Sequence, residues 1–471
     1  MSNFTTVVLA AGMGTRMKSK LPKVLHRVCG KPLAAWVIDA AKAAGSQSVC
    51  AVIGHGAEQV SKELDGKCGF AVQPEQKGTG HAVMQAAEFI KDGADICIVL
   101  NGDAPLITPQ MIMQAIEEHK KSESTATVIT AILDNADGYG RIIRNSDGGV
   151  EKIVEHKDAN EEERKILEVN SGMYVFERDA LLDALDKLTP NNVQGEYYLT
   201  DTLEIIKAAG RKIGAFAVAD IDEIRGINDR VQLAEAEAVM QNRIRRAYML
   251  SGVTMTQPDN VIIEDGVIIG CDTVIDGAAV IRKGTRIGEG AYIAFGSIID
   301  NSKIGSAAKI SGSNISNSEV ENNADILNSV LDSAFVGSGT HVGPFAYLRP
   351  KSHIGKNVRV GDFVEVKNSN VGDGTKISHL TYIGDSDVGE RVNFGCGTVT
   401  SNYDGKNKFR TVIGDDCFIG CNTNLVAPVS VENGAYIAAG STITDTVPEN
   451  SLAIARARQV NKSGWTDKRD K

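Results

Sequence analysis

The chain changes texture near residue 250. Before that point, short apolar runs bounded by turn residues alternate with segments of helical spacing. Residues 5–10, 48–53 and 96–100 are such runs, and residues 33–44 carry apolar positions at helical intervals. Strand-like runs separated by helices predict a mainly parallel sheet in an α/β domain. Between residues 228 and 248, Leu233, Ala236, Met240, Ile244 and Ala247 recur at intervals of three and four, while Glu235, Glu237, Arg243 and Arg245 fall elsewhere. This predicts a helix, ended by Ser251-Gly252 and about 30 Å long at the α-helical rise. It reads as a rigid connector, so the expected organisation is residues 1–228, a linker helix over 229–250, and residues 251–471.

After the helix an aliphatic recurs every sixth residue. Ile269, Ile275, Ile281, Ile287, Ile293 and Ile299 share one register, and Val336, Val342, Leu348, Ile354, Val360 and Val366 share another. A third runs Ile413, Ile419, Leu425, Val431, Ile437 and Ile443. A strand has period two and a helix period 3.6, so neither holds a strict six. A coil with three short flat faces per turn does, each face sending one aliphatic inward. The prediction is a parallel β-helix. Two stretches break the pattern: the polar insertion at residues 402–408 (NYDGKNK) and the basic, non-repetitive end from Glu449.

Composition narrows the setting. The 471 residues exceed one ordinary core, and 42% apolar with 23% charged residues is a globular balance. The net charge of −10 argues against a nucleic-acid surface. No apolar run reaches eighteen residues, so no membrane span is expected, and the apolar N-terminus lacks the basic flank of a signal peptide. The eight cysteines show no disulfide spacing. A cytoplasmic protein is the expectation. Cys396, Cys417 and Cys421 form the one local cluster, and without paired motifs they read as small buried residues rather than metal ligands.

Candidate chemistry lies in both halves. After the first run comes LAAGMGTRM (residues 9–17), where Gly12 and Gly14 let backbone N–H groups approach a phosphate and Arg16 adds a fixed charge. A plain tight turn would read the same way. Lys23 is a second cation nearby. Asp103, in Asn101-Gly102-Asp103, follows the apolar run at 96–100, and ligands of parallel sheets bind beyond the carboxyl ends of strands. An aspartate there suits Mg²⁺, which takes one or two carboxylates together with substrate phosphates, but also suits a turn. In the β-helix, His379 follows the in-register Ile377 by two positions, and an imidazole with a pKa of about 6.5 can take a proton from an amine. Arg349 and Lys367 could clamp an anionic phosphate. His341 and His353 have no supporting motif.

Taken together, Gly12-Met13-Gly14-Thr15-Arg16-Met17 and Pro22-Lys23 resemble the GxGTRM…PK signature of sugar-1-phosphate nucleotidyltransferases. Over essentially the whole chain the sequence resembles the family of bifunctional N-acetylglucosamine-1-phosphate uridyltransferases / glucosamine-1-phosphate N-acetyltransferases. The resemblance implies a Rossmann-like nucleotidyltransferase domain followed by a left-handed β-helix, assembled as a homotrimer with acetyl sites between subunits. By the same resemblance, Leu9, Ala10, Gly12 and Lys23 contact the nucleotide, and Gln73, Gly78 and Thr79 read uracil. Gly140, Glu155 and Asn170 hold the sugar, while Asp103 and Asn228 hold Mg²⁺. His379 is the general base. Arg349, Lys367, Tyr382 and Asn393 meet glucosamine-1-phosphate, and Asn402, Tyr403, Ala439 and Arg456 meet acetyl-CoA. Cys396 and Cys421 stand at two further acetyl-CoA positions where a small residue such as Ala or Ser is expected. UTP and acetyl-CoA are the implied co-substrates. Two other readings compete: a single-activity nucleotidyltransferase with a merely structural β-helix, and a regulatory subunit with a dead nucleotidyltransferase fold. The Arg16, Lys23, Asp103 and Asn228 set weighs against the last, and His379 with its neighbours against the first.

Overall fold

The computed structural model describes residues 3–146, 148–154, 156, 158–192 and 194–466. It divides into two compact units, Met1–Met240 and Gln241–Lys471. The helix expected over residues 228–248 runs Arg230–Leu250 and carries the division point within it.

The first unit is built on a nine-stranded sheet. Seven strands form its main path: β1 (Thr5–Ala10), β2 (Ser48–Ile53), β3 (Gly69–Val72), β4 (Ile96–Asn101), β5 (Ala126–Ile132), β6 (Glu168–Glu177) and β7 (Ile213–Ala217). Their spatial order is β7-β5-β6-β4-β1-β2-β3. The pairs β1–β2, β1–β4, β2–β3 and β5–β7 are parallel, whereas β6 runs antiparallel to both β4 and β5. The reversed β6 on the main path, and the antiparallel pair Arg141–Arg144 and Val150–Val154 beside it, thus qualify the mainly parallel expectation. β1, β2 and β4 are almost wholly buried, as continuous apolar runs covered on both faces should be.

The second unit is a coil of three parallel sheets, with twelve, eleven and ten strands. All eighteen in-register aliphatics point inward, none more than 8% exposed. Together with the residues between them they form one continuous core. The spacing of six does not hold throughout, however. Inward positions continue at Ile304, Ile310, Ile315, Val320, Ile326 and Leu331, where several faces are five residues long. Strand partners there lie sixteen apart (Ile299 with Ile315, Lys303 with Glu319, Ile310 with Ile326) instead of eighteen, as for Ile281 with Ile299. Serines occupy the tightened corners. Ser318 N–H donates to the Ser302 hydroxyl at 3.0 Å and Ala334 N–H to the Ser318 hydroxyl at 3.1 Å. The hydroxyl thus accepts from a corner amide that no strand partner reaches, and a buried N–H is kept from going unpaired.

The connector helix ends against this coil. The Gln241 side chain donates to Ile263 O and accepts from Ile263 N–H, both at 3.0 Å. It therefore substitutes for a missing neighbouring strand at the first coil.

Leu348, fully buried in the stack, tests how rigid this core is. Leu348→Ala should cost about 2–5 kcal/mol, because neighbouring coils locked by backbone pairing cannot close over the void. Chemical denaturation followed by a probe in the β-helix should show it, and a loss well under 1 kcal/mol would mean the coils relax freely.

Candidate functional site

In the first unit, the carboxyl ends of β1 and β4 and the loops around them enclose a cavity of about 660 Å³. Its lining includes Leu9, Ala10, Gly12, Arg16, Lys23, Gln73, Gly78, Thr79, Asp103 and Asn228, so ten of the residues singled out in the sequence converge. Local backbone geometry places them. Gly14 has φ +61°, and a Cβ there would come within 2.5 Å of the Lys23 side chain, so glycine lets Lys23 lie across the loop. Gly78 has φ +104°, a conformation reserved for glycine, and packs on the Tyr197 backbone. At Gly12, by contrast, a Cβ would meet no atom within 4 Å. Its missing side chain leaves room beside the loop rather than relieving a clash.

The charged centre is connected. Lys23 forms an ion pair with Asp103, and its Nζ donates to Asn228 Oδ1 at 3.0 Å. Arg16 Nη2 donates to the same oxygen at 2.9 Å. Asp103 and Asn228 are held close by their backbone, since Ile227 N–H donates to Asp103 O at 2.9 Å. Gln232 fixes Asn228 by accepting its N–H at 2.7 Å. A carboxylate and an amide oxygen thus converge on one cation, the Lys23 ammonium. That donor pair fits a hard divalent ion completed by water and phosphate oxygens. Among the described residues no group of three or more His, Cys, Asp or Glu is arranged to hold a metal without such help.

Gly140 and Asn170 do not line the cavity. They sit beside Tyr139 and Ser171, which do, and Asn170 turns its amide to the Tyr174 hydroxyl. Glu155 lies outside the described residues. The sequence reading passed over Asn101, whose amide donates to Ser171 O at 3.0 Å on the cavity wall.

In the β-helix, successive coils bring the polar residues together. His379 pairs in register with Asp362 one coil earlier, and Nδ1 stands 2.6 Å from Asp362 Oδ1. The His379 ring beside Asp362 holds its carboxyl below the ordinary aspartate value. Asp362 was not singled out in the sequence: it lies seventeen residues before His379, whereas a strict coil of eighteen points to Gly361. From Leu380, next to His379, a column of backbone bonds runs along the coil edge: Gly397 N–H to Leu380 O, Asn422 N–H to Cys396 O, and Gly440 N–H to Cys421 O. Cys396, Cys421 and Ala439 therefore follow one another on this edge, and Arg456 packs near Gly440. Cys396 is half-buried and Cys421 exposed, unlike the buried Cys417, so two of the three thiols depart from the buried reading.

At the other end of the same face stand Arg349 and Lys367, with Tyr382 between them and His379. Arg349 Nη1 donates to Glu365 Oε1 at 2.8 Å. The amine of Lys408, from the insertion, adjoins Lys367 and pushes that ammonium below its ordinary value; Arg349 adds to the push and Asp385 opposes it. Arg349, Lys367 and Lys408 thus meet with Glu365 and Asp385 as their counter-charges, one acid fewer than the cations, which leaves a place for an anion. Asp385 is 6% exposed and accepts from Asn368 and Asn402, each at 2.5 Å. Asn402 is thereby buried as the anchor of the insertion, while Tyr403 is exposed and its hydroxyl donates to Gly405 O. Asn393 lies half-buried on the face preceding this edge.

Comparison with known proteins matches this division. Residues 5–221 fit the nucleotidyl transferase family, and residues 333–368 and 410–445 fit the bacterial transferase hexapeptide (six repeats) family. The chain is 51% identical to the bifunctional protein GlmU of Acetivibrio thermocellus, over 98% of this chain and 97% of that protein. The chain belongs to the GlmU family. Its GlmU relatives in Clostridium botulinum and Clostridium perfringens are 51% and 50% identical, covering 98% and 99% of each chain. GlmU membership joins a nucleotidyltransferase to a left-handed β-helix of hexapeptide repeats, which the three parallel sheets fit.

The histidine–aspartate contact can be tested directly. Because the neighbouring ring favours the carboxylate, Asp362 contributes to stability above the ordinary aspartate pKa, and loses that contribution as pH falls through its lowered value. Both groups are exposed, so the effect on stability is small. NMR titration should find Asp362 below 3.8 in the wild type and returning toward it in His379→Ala. An Asp362 titration unaffected by the substitution would mean the pair is not formed in solution.

Proposed function

We propose that the chain N-acetylates glucosamine-1-phosphate with acetyl-CoA in the β-helix and then transfers uridylate from UTP to N-acetylglucosamine-1-phosphate in the N-terminal cavity. The His379–Asp362 contact together with the nearby Arg349, Lys367 and Lys408 cations carries the reading; a histidine–aspartate contact alone, such as His341–Asp325 at 3.2 Å, would not.

For acetyl transfer, Nδ1–H donates to Asp362, which leaves Nε2 as the lone-pair nitrogen. The substrate amine attacks the thioester carbon, Nε2 takes the ammonium proton, the C–S bond breaks, and Nε2 returns the proton to the departing sulfur, so that coenzyme A leaves as the thiol. Arg349, Lys367 and Lys408 hold the sugar phosphate. Cys396, Cys421, Ala439 and Arg456 follow the edge along which acetyl-CoA would extend, with Tyr403 of the insertion. Since these groups lie at two edges of one face, a homotrimer in which a neighbouring chain completes the site suits the arrangement.

For uridyl transfer, an oxygen of the sugar phosphate attacks the α-phosphorus in line and pyrophosphate departs. Such transfer needs positioning and charge neutralisation rather than a protein nucleophile. Arg16 and Lys23 supply fixed positive charge, and Gln73, Gly78 and Thr79 meet the base. Asp103 and Asn228 would hold Mg²⁺, which when bound neutralises phosphate charge. Gly140, Asn170 and Glu155 are assigned to the sugar. All substrates are water-soluble and no helix among the described residues is long and apolar enough to cross a membrane, so we place the enzyme in the cytoplasm.

Product analysis from glucosamine-1-phosphate, acetyl-CoA, UTP and Mg²⁺ tests both halves at once. Asp103→Ala should abolish uridyl transfer and leave acetyl transfer near wild type; an equal fall in both would sink the two-site reading. His379→Ala should lower acetyl transfer about 10²–10⁴-fold, the usual contribution of a positioned general base, with uridyl transfer untouched. A rate within a few-fold of wild type would remove His379 as the base. Residues 1–228 alone should fold, retain uridyl transfer and lose trimeric assembly, since a domain of that size buries its own core. An insoluble fragment would count against that boundary.

A further inference from the structure

The insertion leaves the coil after Ser401 and returns to it at Thr411. It stands on two acids of the coil before it. Asp385 and Asp387 each accept from an asparagine one coil earlier: Asn368 Nδ2 donates to Asp385 Oδ1 at 2.5 Å, and Asn370 Nδ2 to Asp387 Oδ1 at 2.7 Å. Each also accepts from one end of the insertion. Asn402 Nδ2 donates to Asp385 Oδ2 at 2.5 Å, and Arg410 Nε to Asp387 Oδ2 at 2.8 Å. The two feet are unequal. The side chains of Arg410 and Asp387 are 42% and 44% exposed, where an ion pair contributes little. Asp385 and Asn402 are 6% and 8% exposed, so breaking their contact strands buried polar groups.

A carboxylate suits position 385 where an amide of the same shape does not. Both partners are amide N–H donors, and an ionised carboxylate accepts at both oxygens. An amide accepts at one and sets N–H against N–H at the other. The main chain of Asp385 is itself fixed: its N–H donates to Lys367 O at 3.0 Å, and Thr411 N–H donates to Asp385 O at 3.2 Å. Residues 403–408 are all exposed, and the insertion is closed by bonds of its own. Phe409 N–H donates to Asn402 O at 2.9 Å, Tyr403 pairs antiparallel with Lys408, and Asp404 Oδ1 accepts from Lys406 N–H at 2.7 Å. The insertion is thus a small closed unit whose buried foot is Asn402.

We propose that Asp385 is a positioning residue for acetyl transfer: its second oxygen seats Asn402, and so sets where the insertion carries Tyr403 and Lys408. Lys408 adjoins Lys367, on the side assigned to the sugar phosphate, and Tyr403 is assigned to acetyl-CoA. One buried carboxylate thereby governs the reach toward both substrates. His379 and Asp362 stand on their own strands, Lys376–His379 and Arg359–Asp362, and do not depend on it. The inference rests on the acetyl-transfer reading and adds to it the residue that holds the insertion in place.

The test uses the full chain and reads KM and kcat of acetyl transfer together with tryptic cleavage after Lys406 and Lys408. Asp385→Asn should raise KM for glucosamine-1-phosphate and for acetyl-CoA about tenfold each, leave kcat within a few-fold, and speed cleavage by a similar factor. Asn368→Asp alone sets a second carboxylate against Asp385 and should do at least as much. In Asn368→Asp/Asp385→Asn the new amide donates to the new carboxylate, and its oxygen accepts from Asn402 again. That exchange should return both KM values and the cleavage rate to within a few-fold of wild type, a recovery that a loss of packing would not show. Wild-type KM values in Asp385→Asn, a fall in kcat with KM unchanged, or a double variant no better than the single ones would overturn the proposal. Should a single variant not fold, a folded double variant with wild-type KM values supports the pairing, and an unfolded one overturns it. A wild-type chain without acetyl transfer would instead overturn the reading beneath, while the cleavage rates still decide whether Asp385 seats the insertion.

Discussion

The polar contacts between coils of the second unit depend on one constraint: each coil is hydrogen-bonded along its length to the next, so residues one coil apart are stacked. Inward aliphatics and the corners between them together set the length of a coil, and faces of six and of five residues both keep their aliphatic in the core. Once that length is fixed, outward side chains are fixed too. Asp362 lies under His379 because Val360 lies under Ile377, two positions back on the same strands. Tyr347, Glu365 and Tyr382 stack for the same reason, and from that column Glu365 reaches Arg349 diagonally. The geometry of the candidate site is here a by-product of core packing, with Lys408 brought in by the insertion.

The first unit obtains its site by a different route. Its sheet ends leave a gap beyond β1 and β4, and glycines let the following loops turn back over it. The functional groups then arrive from segments far apart in sequence: Lys23 from the first loop, Asp103 after β4, and Asn228 just before the long helix. They are joined by one ammonium, whose partners are the two oxygens assigned to the metal. Charge neutralisation across distant segments, rather than a repeating ladder, holds this cluster in place.

This difference explains what could be read from the sequence. The β-helix was legible because its period is written in single residues, and the eighteen aliphatics in register are all buried. Where faces shorten to five residues, between Ile299 and Val336 and again at Val366–Val371 and Ile383–Val388, a strict six could not follow them, although the serines marking many of those corners are visible in the sequence. The N-terminal strands were legible as apolar runs, but the direction of β6 was not. Its antiparallel pairing depends on a connection from β5 that local pattern does not encode. Asp362 and Lys408 were passed over because an isolated acid or lysine carries no signal until coil length or loop folding gives it a neighbour. Gly140 and Asn170 came from resemblance alone, and they sit one residue away from the cavity wall, where Tyr139 and Ser171 stand.

The two units place their cations under opposite rules. In the N-terminal cavity, Lys23 is neutralised by Asp103 and shared with Asn228, so binding a polyphosphate there means exchanging existing partners for new ones. In the β-helix, Lys367 and Lys408 adjoin each other with Asp385 as the nearby counter-charge, and Lys367 is accordingly driven below its usual value. A site whose cations repel one another gains more from an incoming dianion than a site whose cations are already paired. On the proposed function, the smaller substrate, a monophosphate with one sugar, would meet the surface whose cations repel one another. The larger one, a triphosphate that can bring its own metal ion, would meet a balanced surface.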